Sequence, residues 1–138
     1  MKPGEIVSDK QVIEQQRQIL FVDDEETLAL LGADLLEDIG YNATCAFNGS
    51  AALQLFEERG SCFDLVITDE TMPGISGIEL AQKIFTISPS TPVILCSGHF
   101  LTMQEVGMDK TNITAVLAKT ALCSDLPEMI HSLFGESV

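Results

Sequence analysis

Short apolar runs alternate along this chain with segments whose apolar residues recur every third or fourth position. "QILFVDD", residues 18–24, predicts a buried strand that ends in acids. Leu28, Leu31, Leu35 and Ile39 then form a helical stripe, which Gly40 stops. "NATCAF" predicts a second, poorer strand. Asn48 is an N-cap for a helix offering Ala52, Leu55 and Phe56 to a core. "FDLVIT" is a third strand. Ser76 caps a helix with Leu80, Ile84 and Ile87 on one face, and "SPSTP" breaks it. "VILCS" and "ITAVLA" are the fourth and fifth strands. Between them "LTMQEVGMDKTN" predicts a weak helix, in which Gly107 costs about 1 kcal/mol relative to Ala. Ser124 caps a last helix carrying Leu126, Met129, Ile130 and Leu133, with Pro127 tolerated in its first turn. Residues 1–17 are polar and weakly patterned, a tail or linker, and 136–138 form a short C-terminal tail. The folded domain is expected over residues 18–135.

Five strand–helix pairs in this order predict an α/β architecture, a doubly wound parallel sheet covered on both faces. In such sheets ligands bind beyond the carboxyl ends of the strands. Strand one ends in Asp23, Asp24 and Glu25, strand three in Asp69, strand four in Ser97 and strand five in Lys119. The fold would gather them into one crevice. Carboxylates crowded together need compensation. A hard divalent cation and the Lys119 ammonium are the two compensators available, and oxygen ligands suit Mg²⁺. Each residue alone has a plainer reading: solvated acids, a surface lysine, a turn serine, a Met-Pro-Gly turn. Their convergence on one edge of the sheet favours a site.

Composition narrows the function classes. The formal net charge of −14 argues against nucleic-acid phosphates or anionic membranes as direct partners. No apolar run reaches the length of a membrane span, and the N-terminus lacks a signal-peptide core. Cys45, Cys62, Cys96 and Cys123 are far apart, with no CxxC and no matching His spacing. They read as small buried hydrophobes in a reducing cytoplasm rather than a zinc site or a disulfide framework.

The acidic pair Asp23-Asp24, the D-x-x-M-P-G-x-x-G run from Asp69 to Gly77, Ser97 followed by Gly98, and Lys119 occur in order. Intervals of 45, 28 and 22 residues separate Asp24, Asp69, Ser97 and Lys119. This ordered set resembles the receiver domain of two-component response regulators, over nearly everything but the tail. The resemblance implies a flavodoxin-like (βα)5 fold and a signalling domain rather than an enzyme, one that assists its own phosphorylation and dephosphorylation. It implies Asp69 as the phosphoryl acceptor and Asp24, with Asp69 and the backbone carbonyl of Thr71, as ligands of Mg²⁺. Asp23 would act through water. Lys119 would pair with the phosphoryl oxygens, and Ser97 would move to hydrogen-bond the phosphoryl group. The donor would be a phosphohistidine on a sensor histidine kinase or a phosphotransfer protein, and the downstream target is not specified. The chemistry stands on its own terms: a carboxylate attacks phosphorus when charge is neutralised and the geometry is in line.

Two positions depart from the family's pattern: Thr120 follows Lys119 where the family usually has Pro, and Val116 stands where a switch aromatic is usual. His99, two residues after Ser97, and Thr71, two after Asp69, flank the site at positions that the resemblance implies tune dephosphorylation. With no room for a DNA-binding output domain after residue 135, the chain reads as a stand-alone regulator or as the receiver of a hybrid sensor kinase. A haloacid-dehalogenase-type phosphatase is a rival, since "ILFVDDEETL" loosely resembles its D-x-D-x-T strand end. Position 25 is Glu there, and the Asp69 turn would have no role. A flavin-binding domain would need a phosphate loop where four acids stand, at positions 23–26.

Overall fold

The computed structural model describes residues 16–59, 62–98 and 111–135. The predicted helix between the fourth and fifth strands, and His99, lie outside the described residues. The elements are β1 (Gln18–Val22), α1 (Glu26–Asp38), β2 (Asn42–Ala46), α2 (Gly49–Arg59), β3 (Leu65–Asp69), α3 (Gly77–Ile87), β4 (Val93–Ser97), β5 (Ile113–Ala118) and α4 (Leu122–Phe134). All strand pairs are parallel, in the order β2-β1-β3-β4-β5. β5 carries a bulge: Val93 pairs with Ile113 but Ile94 with Ala115, leaving Thr114 extra.

The strands are apolar throughout because both faces of the sheet are buried. Leu20, Val22, Val66 and Leu95 point to one face, against Ala52 and Phe56 of α2 and Leu80 and Ile84 of α3. Ile19, Phe21, Leu65 and Ile67 point to the other, against Ala29 and Leu36 of α1 and Leu126 and Ile130 of α4. The side-chain period of two thus builds two cores from one set of strands.

Local signals place most helix ends. Asn48 Oδ1 accepts from the Ala51 N–H at 2.7 Å. Ser76 and Glu79 form a reciprocal capping box, at 3.1 and 3.0 Å. Gly40 leaves α1 at φ +100°, which favours glycine.

Four expectations need correction. The fully buried stripe of α1 is Ala29, Gly32 and Leu36, one position on from the predicted one; of the predicted residues Leu35 and Ile39 pack half-buried against the core, and Leu31 is exposed. The reason is steric: a Cβ on Gly32 would lie 2.4 Å from the Phe21 ring, so the bare backbone lets α1 settle on the sheet. Ile87 is likewise exposed at the end of α3. Ser124 does not cap the last helix. A 3₁₀ turn over Lys119–Ala121 runs into α4 at Leu122, placing Pro127 inside the helix, and the Ser124 hydroxyl donates to the Ala121 carbonyl. Finally, all four cysteines are free thiols, but Cys62 and Cys123 are exposed and only Cys96 is fully buried.

Candidate functional site

The strand order reverses its direction of growth at β1, which lies between β2 and β3. A crevice opens there beyond the carboxyl ends of the strands. Asp23 follows β1 directly and is buried. Its N–H donates to the Ala46 carbonyl at 3.1 Å, and its Oδ1 accepts the Glu25 N–H at 2.9 Å. Asp24, next along, is exposed. Asp69 is the last residue of β3 and is also buried, and its carboxylate accepts the backbone N–H of Thr71. One carboxylate oxygen from each of Asp23, Asp24 and Asp69 falls within 4.8 Å of the others.

Lys119, immediately beyond β5, supplies the counter-charge. Its Nζ donates to Asp69 Oδ2 at 3.0 Å and stands 3.7 Å from Asp23 Oδ2 and 3.8 Å from Glu25 Oε1. The structure thus brings Asp23, Asp24, Asp69 and Lys119 together as predicted. Glu25, treated in sequence only as part of an acidic run, joins them through the lysine.

The electrostatics follow from this packing. Burial raises the Asp69 carboxyl above its ordinary value, against the opposing hydrogen bond and charge of Lys119. Burial also raises Asp23, against the Glu25 N–H, with the Asp69 charge adding to the rise. Burial works against the Lys119 ammonium, but the Asp69 hydrogen bond and the surrounding carboxylates outweigh it, and its pKa rises. Cys96, opposite Asp69 in the β3–β4 register, is pushed up to about 12 by burial and then by the Asp69 charge, so it stays a neutral thiol.

The loop after Asp69 folds tightly. The Gly77 N–H donates to the Glu70 carbonyl at 2.9 Å, and Gly74 turns the chain at φ +80°. A Cβ on Gly77 would lie 2.2 Å from the Asp69 carbonyl oxygen. Only a glycine lets α3 begin under the end of β3.

Ser97 ends β4 and is buried. Its hydroxyl donates to Glu70 Oε1 at 2.9 Å. Sequence reasoning did not single out Glu70. The signal available was its place one step past the Asp69–Cys96 pair, which sets it beside Ser97 at the strand ends. Val116 is half-buried opposite Leu95 and packs on the α2–α3 side.

Residues 19–131 match the family model described as the response regulator receiver domain. The chain is 34% identical over 89 residues to the autoinducer 1 sensor kinase/phosphatase LuxN of Vibrio campbellii, covering 64% of this chain but 10% of LuxN. It is 28% identical over 126 residues to the chemotaxis protein CheY-3 of Vibrio cholerae, covering 89% of this chain and 95% of that protein. It therefore spans about a tenth of the sensor kinase and nearly all of the chemotaxis protein. Among solved structures, the response regulator protein TrrA of Thermotoga maritima, in complex with Mg(2+)-BeF, superposes with a TM-score of 0.74 at 31% identity, over 86% of this chain and 99% of that one. Among the described residues, no helix is long and apolar enough to cross a membrane. A match of this breadth, in sequence and in fold alike, makes the chain a member of the response regulator receiver domain family of two-component signalling.

Proposed function

We propose that Asp69 is the phosphoryl acceptor of this receiver. The observation that carries the reading is the 3.0 Å hydrogen bond from Lys119 to Asp69, beside two further carboxylates at the end of the neighbouring central strand. The donor is a phosphohistidine on a sensor histidine kinase or phosphotransfer protein. An Asp69 carboxylate oxygen attacks phosphorus, the P–N bond breaks, its electron pair stays on the imidazole, and an acyl phosphate forms.

The donor set fits Mg²⁺: oxygen ligands only, net negative, with one flank exposed at Asp24. Asp24, Asp69 and the Thr71 backbone carbonyl would hold the ion directly, and Asp23 through water. When bound, it supplies positive charge to the transferring group. Asp69, anchored on a core strand and by the Thr71 N–H, presents its carboxylate in a fixed direction. Lys119 neutralises the acceptor before transfer and the phosphoryl oxygens after it. Ser97 donates its hydroxyl to the new phosphoryl group. The same groups hold the acyl phosphate for hydrolysis, so the domain takes part in its own dephosphorylation.

Acetyl phosphate with Mg²⁺, read by intact mass, tests the assignment. One phosphoryl group is expected on the native protein and none on Asp69→Asn. Unchanged stoichiometry in that variant would remove Asp69 from the role.

A further inference from the structure

The Ser97 hydroxyl has one proton to donate, and in this structure Glu70 receives it at 2.9 Å. Glu70 is well placed to keep it. Its N–H donates to the Cys96 carbonyl at 2.7 Å and its carbonyl accepts the Gly77 N–H at 2.9 Å, so backbone bonds to both sides fix the base of the side chain. Ser97 is equally fixed, buried at the end of a strand paired on both sides. A hydrogen bond to a carboxylate is charge-assisted and stronger than a neutral one.

We propose that Glu70 is a positioning residue that holds the Ser97 hydroxyl in the resting state and competes with the phosphoryl group for it. The proposal rests on the phosphoryl-accepting reading of Asp69. A phosphoryl oxygen on Asp69 and the Glu70 carboxylate are alternative acceptors for a single O–H. Satisfying one leaves the other without that donor. Glu70 therefore sets how strongly phosphorylation must pull before Ser97 turns inward, and it tilts the domain towards rest. A ligand shifts a two-state element only by its difference in affinity for the two states, and the Glu70 bond subtracts from that difference.

A double-mutant cycle with beryllofluoride and Mg²⁺ separates this from the plain effect of removing a negative charge near an anion site. Glu70→Ala is expected to tighten beryllofluoride binding roughly tenfold, the scale of one charge-assisted hydrogen bond. Glu70→Gln, which keeps an acceptor but not the charge, should tighten it less. In the Ser97→Ala background the Glu70→Ala gain should fall to roughly the small through-space part, below about threefold. Without beryllofluoride, the Ser97 and Gly98 amide resonances of Glu70→Ala should move towards their positions in the beryllofluoride-bound native protein. Equal tightening in both backgrounds, or amide signals that stay at rest, would overturn the proposal while leaving Asp69 in its role. Native protein that takes up no beryllofluoride would overturn both.

Discussion

Replacing Gly77 with Ala is expected to damage both the fold and the site, although local rules favour it. Gly77 is the first residue of α3, and Ala exceeds Gly in helix propensity by up to about 1 kcal/mol. The new Cβ, however, would sit 2.2 Å from the Asp69 carbonyl oxygen, 3.0 Å from its carbon and 2.9 Å from Leu95 Cδ1. The Leu95 methyl can turn aside, but the Asp69 carbonyl is backbone. Relief means moving α3 away from β3 or pushing the end of β3 outward. Overpacking of this kind costs about 1–3 kcal/mol, more than the propensity gain. For a chain of this size that is a fall in Tm of roughly 3–10 °C. Phosphorylation should fall further than stability does, because the strain lands on the peptide that carries the acceptor, and misplacement by about 1 Å costs on the order of a hundredfold. Gly74→Ala is the matched comparison. It adds backbone strain at φ +80° but meets nothing within 4 Å, so about 1 kcal/mol is expected. Scanning calorimetry and acetyl-phosphate kinetics on both variants check the ranking. If Gly77→Ala melts at or above the native protein, the close approach does not constrain the loop.

Asp23→Asn tests the buried acids. A carboxyl raised by burial supports folding below the unfolded value of 3.8 and weakens it as pH rises through the folded value. Metal-free Asp23→Asn should therefore melt above the native protein at pH 7, with the gap closing as pH falls towards 3.8. Added Mg²⁺ should stabilise that variant less than the native protein, and fluorimetric melts across pH read both effects. Ser76→Ala should remove the capping box and cost about 1 kcal/mol by urea titration, with phosphorylation by acetyl phosphate unchanged.

Residues that signal through type and local order were legible in the sequence. The apolar runs marked the five strands, Asn48, Ser76 and Gly40 marked helix ends, and the strand-end acids with Lys119 marked the crevice. Features that depend on distant packing were not. The buried face of α1 turns on Gly32, whose contribution is the absence of a side chain, so a count of apolar residues passes over it. The start of α4 was misplaced because Lys119–Ala121 closes a 3₁₀ turn without the sequence signature of a cap. The Glu70–Ser97 bond joins positions 27 residues apart, and it becomes visible only once β3 and β4 lie in register.

The counter-charge sits on the edge of the sheet, while the charges it balances sit at its centre. β1 and β3 each have a strand on both sides, whereas β5, among the described residues, pairs only with β4 and is bulged at Thr114. Edge strands open locally at lower free energy than central ones. In this molecule, opening the edge also draws an ammonium away from the acids nearest it, so the ionic cluster acts as a clasp on β5. A divalent cation held by those acids would compete with the lysine for them, so amide exchange along β5 is expected to report how the acids are occupied.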